Sequence, residues 1–277
     1  MEWTAEAQAA VKKVPFFVRK RVKARVEEEA RKAGLSTVTL AEVKATQQRY
    51  LSRMAEEVKG YRLEACFGPS GCPNRIDAGG ALAERIENRL QQADLLSLLR
   101  ERVGPDLKFH HELQVTLADC PNACSQPQIK DIGIIAACRP RLAAGECTGC
   151  EACAEACHEA AVRVETDVPH PVLDLARCCA CGRCVQVCPA GTLAEGAKGY
   201  RVQLGGKLGR HPQLARELPG IYAADTVLEI VDACLALYKA RSRRGERLGA
   251  LLGDADFDEL ARRFAACDLS AEARRPE

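Results

Sequence analysis

The sequence predicts an α+β protein, and three observations support this. Residues 1–60 carry helical periodicity and helix caps from end to end. Beyond them, short apolar runs bounded by Gly and Pro turns alternate with further helical stretches. Those runs flank a cysteine-dense stretch at about residues 143–192, and its motif is duplicated. A helical N-terminal domain at 1–60, followed by an α+β domain at 61–142 and 193–277 with a small unit inserted at 143–192, accounts for all three.

The elements follow in chain order. Thr4 is placed to cap a first short helix that stops before Pro15. Val18, Val22, Val26 and Ala30 repeat at i, i+4 in a second helix ending at Gly34. Thr39 and Glu42 form a capping-box pattern opening a third helix to about Lys59. The run Arg19 to Arg25 is strongly basic. It reads either as a solvated face balanced by Glu27 to Glu29, or as a contact for an acidic partner or cofactor carboxylates.

From Tyr61 the texture changes, and Cys66 and Cys72 stand in a Gly/Pro loop. One helix is expected over about 81–103, with Leu82, Ile86, Leu90 and Ala93 on one face. Leu113 to Leu117 alternates apolar and polar like a strand. It leads to a second cysteine loop holding Cys120 and Cys124, then to a buried strand over 132–137. Tyr200 to Gly206 reads as another strand ending in a Gly turn. Helices over about 224–244 and 254–266 close the pattern.

Composition narrows the function classes. The 277 residues allow one large domain or two to three small ones, and 47% hydrophobic residues with only 4% aromatics imply an aliphatic core. A formal net charge of +2 gives no global field pointing to nucleic acid or a membrane surface. The longest apolar run, Ile132 to Cys138, is far short of the ~20 residues a spanning helix needs. The start of the chain lacks a charged-then-apolar signal pattern, so the expected compartment is cytoplasmic. There, clustered cysteines imply metal or redox sites rather than structural disulfides.

Those cysteines number sixteen. Cys147, Cys150, Cys153 and Cys157 are spaced C-x2-C-x2-C-x3-C. Cys178, Cys181, Cys184 and Cys188 repeat that spacing and end in Pro189. This is the ligand run of a two-cluster bacterial ferredoxin, in which the fourth cysteine of each motif serves the other [4Fe-4S] cube. Cys147, Cys150, Cys153 and Cys188 are therefore expected to hold one cube. Cys178, Cys181, Cys184 and Cys157 are expected to hold the other. Zinc usually takes two separated C-x2-C pairs, so the spacing disfavours it. Cys66 and Cys72 (C-x5-C) with Cys120 and Cys124 (C-x3-C) supply four more thiolates. That is enough for a third cube, although zinc or buried thiols would satisfy the same spacing. Of the remaining cysteines, Cys138 and Cys234 sit in apolar context and read as buried thiols. Cys179 is an extra thiol within a ligand loop, read as packing with an alternative ligand as the other reading, and Cys267 is left over.

The segment from Asp119 to Ile134 (DCPNACSQPQIKDIGI) closely resembles the cluster loop of siroheme-dependent nitrite and sulfite reductases. Cys66 to Cys72 matches that family's C-x5-C, and Gly205 to Pro212 resembles its glycine-rich turn. The layout is similar to the small subunit of anaerobic sulfite reductases, with the same ferredoxin insertion after the C-x3-C strand. The resemblance covers about 61–240. It implies a sulfite reductase-type siroheme/[4Fe-4S] half-domain, three [4Fe-4S] clusters, and a siroheme bridged to the third cube by Cys124. It also implies a small oxyanion substrate, and an electron-donor protein or redox subunits as partners in a homo- or hetero-oligomer. Arg75, Lys207 and Arg210 are the candidate catalytic cations, with Lys130 and His211 as further candidates for gripping an anion. A surface charge is the plain alternative for each. His110, His111 and His170 read as turn and loop residues.

Where that family carries a haem-covering half-domain, residues 1–60 instead resemble the small helical domain at the C-terminus of light-independent protochlorophyllide reductase B subunits. Trp3, Thr4 and Val14 to Arg19 carry that resemblance, which implies contact with a tetrapyrrole. The leading expectation is a sulfite or nitrite reductase-type oxidoreductase. A non-catalytic electron-transfer subunit with three cubes and no siroheme is the second.

Overall fold

The computed structural model describes residues 1–269, apart from the side chains of residues 51–53. Residues 270–277, at the end of the expected reductase-type domain, lie outside the described residues. The described residues divide into two compact units, residues 1–58 with 103–109 and residues 59–102 with those from 110 onward.

The first unit is built as its caps dictate. Strand β1 (Glu2–Trp3) pairs in parallel with β2 (Thr37–Val38), around helices α1 (Ala5–Lys12), α2 (Phe16–Lys32) and α3 (Leu40–Glu57). The Thr4 hydroxyl accepts from Ala7 N at 3.3 Å, and Thr39 with Glu42 closes a capping box on α3. Ala7, Val26, Ala30 and Val38 form a small core, with Trp3, Val22 and Val43 against it. The basic run is partly neutralised within α2, where Arg25 meets Glu29 at 3.5 Å. Arg19 instead donates to the carbonyls of Lys12, the last residue of α1, and of Val14 just after it.

The second unit begins with β3 (Tyr61–Ala65), a strand to which the sequence analysis assigns no element. The single helix expected over 81–103 is in fact two, α4 (Leu82–Gln92) and α5 (Leu95–Val103). Asp94 separates them in a left-handed conformation, φ 45°. Asp tolerates that region, and its carboxylate accepts from Ser97 N at 3.4 Å in the first turn of α5. Strand β4 (Leu113–Ala118) follows, then β5 (Ile132–Leu142). The inserted segment carries α6 (Ala152–Glu155), β6 (Val162–Arg163), β7 (Val172–Leu173) and α7 (Arg183–Gln186). Strand β8 (Leu193–Leu204), β9 (Arg216–Glu217), α8 (Ala224–Arg241), α9 (Leu248–Leu251) and α10 (Asp254–Phe264) complete the unit.

One sheet, ordered β3-β4-β5-β8-β9, organises it. Strands β3, β4 and β5 are parallel, and β8 and β9 are antiparallel additions. Helix α8 packs on β8 and α4 on β3, and the two helices pack on each other. Val227, Ile230, Val231, Cys234 and Tyr238 of α8 lie in the main core with Ile86 and Leu90 of α4 and Ile132, Ile134 and Val202 of the sheet.

Strands β5 and β8 both run well past the lengths expected. They leave the sheet as a two-stranded ribbon, and a register shift between Cys138 and Pro140 bends it. Pro140 has no N–H to give, which suits a bulge. The ribbon ends where Leu142 pairs with Leu193, and Ala143 N donates to Thr192 O at 2.8 Å. Segment 143–192 therefore leaves and re-enters the sheet at neighbouring residues.

Candidate functional site

Parallel pairing places the third cysteine set. Ala65 is in register with Leu117, so the loops after β3 and β4 emerge side by side at the carboxyl ends of their strands. The Cys66 N–H donates to Leu117 O at 3.0 Å, and Cys66 Sγ in turn accepts from Asp119 N at 3.2 Å. Cys72, Cys124 and Cys66 all act electrostatically on Cys120, so the four thiols share one neighbourhood. Cys120 is buried and Cys124 exposed, with Cys66 and Cys72 between. Cys124 Sγ accepts from the Asn122 side-chain amide at 3.0 Å. Sequence reasoning missed Asn122, although its place inside C-x3-C was the available signal.

The inserted segment is a duplication in backbone as well as sequence. Gly149 (φ 67°) and Ala180 (φ 58°) are left-handed one residue before the second cysteine of each motif. Glu151 (φ 58°) and Gly182 (φ 69°) are left-handed one residue after it. At Gly182 a Cβ would stand 3.1 Å from that of Cys138, so β5 backs tightly onto this loop. The segment's core is largely the thiols themselves: Cys153 and Cys184 with Val162 and Leu193, flanked by Cys157 and Cys188. So small a core needs stapling.

The fourfold sets expected from spacing are gathered. One small cavity is lined by Cys147, Cys150, Cys153 and Cys188. A larger one, of about 310 Å³, is lined by Cys157, Cys178, Cys181 and Cys184. Thus Cys157 and Cys188 each cross to the other motif's cavity, as a two-cluster ferredoxin requires.

The donor chemistry fits iron–sulfur clusters. Burial raises the thiols of Cys120, Cys153 and Cys178, and takes Cys184 to about 12. Such thiolates need a cationic centre among them to ionise. At Cys188 burial also works upward, but backbone N–H groups of Leu193, Thr192, Ala190 and Gly191 outweigh it and hold the thiol below its ordinary value. Backbone donors also reach Cys66, Cys157 and Cys178, from Gly68, Ala161 and Ala180. Among the described residues, no three His, Cys, Asp or Glu side chains are drawn around a single-ion position. All sixteen cysteines are free thiols.

The basic candidates are scattered rather than joined by bonds of their own. Arg75 lies 3.6 Å from Asp119 and 3.8 Å from Asp77. Lys130 is paired with Glu64 at 2.5 Å. Lys207 and Gln213 exchange backbone hydrogen bonds at 2.9 Å, closing a turn that leaves Arg210 and His211 exposed. Gly206 seats this turn beside the segment after Cys124, since a Cβ there would lie 2.6 Å from Gln128 O. None of Arg75, Lys207 and Arg210 lines the larger cavity. Of the histidines, His110 and His111 meet edge-to-face in a helical turn, and His170 is exposed in its loop. Cys138 and Cys234 are buried and Cys267 is exposed. The sequence reading also missed Asp131, which binds the sheet to the Gly turn: Gly205 N donates to its carbonyl at 2.8 Å, and Arg247 donates to its carboxylate at 2.7 Å.

Residues 65–267 match the family described as the nitrite and sulphite reductase 4Fe-4S domain. The chain belongs to that family. Residues 3–46 also match the family described as the protochlorophyllide reductase 57 kD subunit. A coenzyme F420-dependent sulfite reductase of Methanocaldococcus jannaschii is 28% identical over 190 residues, covering 68% of this chain and 28% of that protein. The C subunit of the anaerobic sulfite reductase of Salmonella typhimurium is 26% identical over 121 residues, 44% of this chain and 30% of that one. The B subunit of the light-independent protochlorophyllide reductase of Chlorobium limicola is 56% identical over 39 residues, 14% of this chain and 7% of that one. The matched stretches thus span under a third of each relative's length. Among solved structures, dissimilatory sulfite reductase I aligns with a TM-score of 0.45 at 17% identity, over 78% of this chain and 57% of that one. The NirA protein of Mycobacterium tuberculosis aligns with a TM-score of 0.40 at 18% identity, over 78% of this chain and 30% of that one. The α+β reductase-type reading agrees with the family match. Among the described residues no helix is long and apolar enough to cross a membrane.

Proposed function

We propose that this chain is an iron–sulfur oxidoreductase of nitrite and sulfite reductase type. It would hold three [4Fe-4S] clusters and pass electrons from the inserted ferredoxin unit to a siroheme-linked centre on Cys66, Cys72, Cys120 and Cys124, where sulfite or nitrite is reduced. The supporting observation is the shared cavity: Cys157, Cys178, Cys181 and Cys184 line it together with Cys120, Pro121 and Asn122. The inner thiol set of the inserted unit thus opens toward the loop of the third set. Cys147, Cys150, Cys153 and Cys188 are then the set that an external donor loads.

The bound clusters and siroheme would supply single electrons and a metal site for the oxyanion. The chain's own residues hold and tune them. Cys124, exposed and last of its four, is the proposed bridge to the haem iron, with Asn122 donating to its sulfur. Lys207 and Arg210, on the turn beside this loop, and Arg75 are the proposed cations for siroheme carboxylates or the anionic substrate. The partners would be an electron-donor protein or redox subunits. The proposed setting is cytoplasmic, where clustered cysteines serve as metal or redox ligands.

A visible spectrum of anaerobically purified protein tests this. Strong Soret and long-wavelength bands are expected. Lys207→Ala or Arg210→Ala should lower haem occupancy or sulfite turnover while leaving the EPR signals of the ferredoxin clusters unchanged. A second reading, an electron-transfer subunit without siroheme, is favoured by one observation: Arg75 and Lys130 are already engaged by carboxylates. A cluster spectrum without haem bands, and no turnover of sulfite or nitrite, would establish that reading instead.

A further inference from the structure

The corner between α1 and α2 carries a surface that the proposed chemistry does not use. From Lys12 to Arg25 the chain holds seven basic residues and no acidic one. Phe16 and Phe17 open α2 within that run, 82% and 74% exposed. Their rings meet edge-to-face at 5.7 Å. The inward face of the same helix carries Val22, Val26 and Ala30, so the pair is directed away from the first unit's core. Lys20 and Arg21 follow Phe16 and Phe17 at i+4 and share their face. Lys12 and Lys13 stand just before it, and all four cations are exposed. The acids further along α2 are taken elsewhere: Glu27, Glu28 and Glu29 pair with Arg31, Lys32 and Arg25. Among the described residues, Lys12, Lys13, Lys20 and Arg21 enter no ion pair. Helix α2 also has no side-chain cap and no acid in its first turn, so its positive end is not neutralised. Arg19 holds the corner in place through its bonds to the Lys12 and Val14 carbonyls at 2.8 and 2.9 Å.

We propose that this corner docks the protein on an anionic lipid bilayer. Phe16 and Phe17 enter the headgroup boundary, and Lys12, Lys13, Lys20 and Arg21 meet the lipid phosphates around them. Aromatic rings suit that boundary, and a cluster of basic side chains is drawn to an anionic surface. Two features favour a bilayer over an acidic protein. The apolar part is two side chains wide, whereas a standard protein interface takes ~20–30 residues from each side. Three of the four cations are lysines, which protein interfaces disfavour. The formal net charge of +2 does not oppose this, because the balancing acids lie outside the run. A charged bilayer acts only within about a Debye length of its surface, so the local patch decides. The contact is peripheral, since no described helix is long and apolar enough to cross a membrane.

The test is co-sedimentation of the full chain, purified anaerobically, with lipid vesicles. The parent should sediment with vesicles of phosphatidylcholine mixed with phosphatidylglycerol. It should stay in solution with pure phosphatidylcholine, and raised salt should release it from the mixed vesicles. Lys12→Gln with Lys13→Gln should weaken binding roughly 20-fold, since each cation near the surface is worth about fivefold. Phe16→Ser with Phe17→Ser should weaken it about a hundredfold, at tenfold or more for each ring that leaves water. Both pairs are exposed, so the far-UV circular dichroism of each variant should match that of the parent. A parent that ignores the anionic vesicles overturns the proposal, and so does binding that survives the loss of both rings. Two other occupants of the corner would show themselves in the same proteins. A parent dimer that the Phe16→Ser, Phe17→Ser variant abolishes, without vesicle binding, would mean that a second copy covers the rings. Siroheme lost from that variant, again without vesicle binding, would mean that a tetrapyrrole does. Either result also overturns the proposal.

Discussion

Replacing Asp131 with asparagine should lower folding stability by about 3–5 kcal/mol. The side chain is 0% exposed. One oxygen accepts from Arg247 Nε at 2.7 Å and from Gln114 N at 2.8 Å, and the other accepts from Leu248 N at 2.9 Å. Both oxygens of the carboxylate thus face donors. An asparagine amide must point its NH2 at one or two of them, losing bonds of about 1.5–3 kcal/mol each where a charge takes part. It also leaves Arg247, 18% exposed, without its counter-charge. Thermal unfolding of anaerobic protein should show a midpoint lower by roughly 6–20 °C. The effect should reach the cysteine loops, because Asp131 ties β4, β5 and the Gly205–Gly206 turn together between the Cys124 loop and α9. A midpoint within about 2 °C of the parent would refute the claim that this ion pair anchors the site.

Two further outcomes are expected. Deleting residues 143–192 and joining the ribbon ends with a short Gly-containing turn should leave a folded chain holding about four irons, since Leu142 and Leu193 already pair; loss of the far-UV circular dichroism of the remaining sheet and helices would show that the ends are not independent of the insert. Glu112→Gln probes a buried carboxyl: burial raises Glu112 above 4.5, against the opposing pull of the Lys59 N–H and Arg62. The folded chain then holds the proton more tightly than the unfolded one, so stability falls as pH rises from about 4.5 through the raised value. The variant lacks that slope, and its unfolding midpoint relative to the parent should climb across this window; a constant difference would contradict the sign.

The grouping of the cysteines around the two cavities was legible in the sequence because the C-x2-C-x2-C-x3-C spacing is local, and the placement of Cys157 and Cys188 with the other motif's cysteines was expected from the same spacing. The parallel strands that bring Cys66 beside Cys120 were only half legible. Tyr61, Leu63 and Ala65 do alternate with Arg62 and Glu64, but five residues beside a Gly/Pro loop give a weak period. The break at Asp94 was hidden because the apolar stripe of α4 resumes in α5 with little interruption. The ribbon of β5 and β8 was obscured by Arg139, Pro140 and Arg141 on one strand and Glu195 and Lys198 on the other, residues that suit a solvated pair of strands. The pairing of Arg75 with Asp119 was invisible because it depends on two loops meeting in space. Asp131 lay inside the motif that carried the family resemblance, yet its anchoring role depends on Arg247, more than a hundred residues away.

The most direct test of the central claim is the iron content of anaerobically purified protein, measured per chain. Three fourfold thiol sets predict about twelve irons from the clusters, plus about one if siroheme is bound. A value near eight, with Cys66, Cys72, Cys120 and Cys124 open to alkylation in the folded protein, would contradict it.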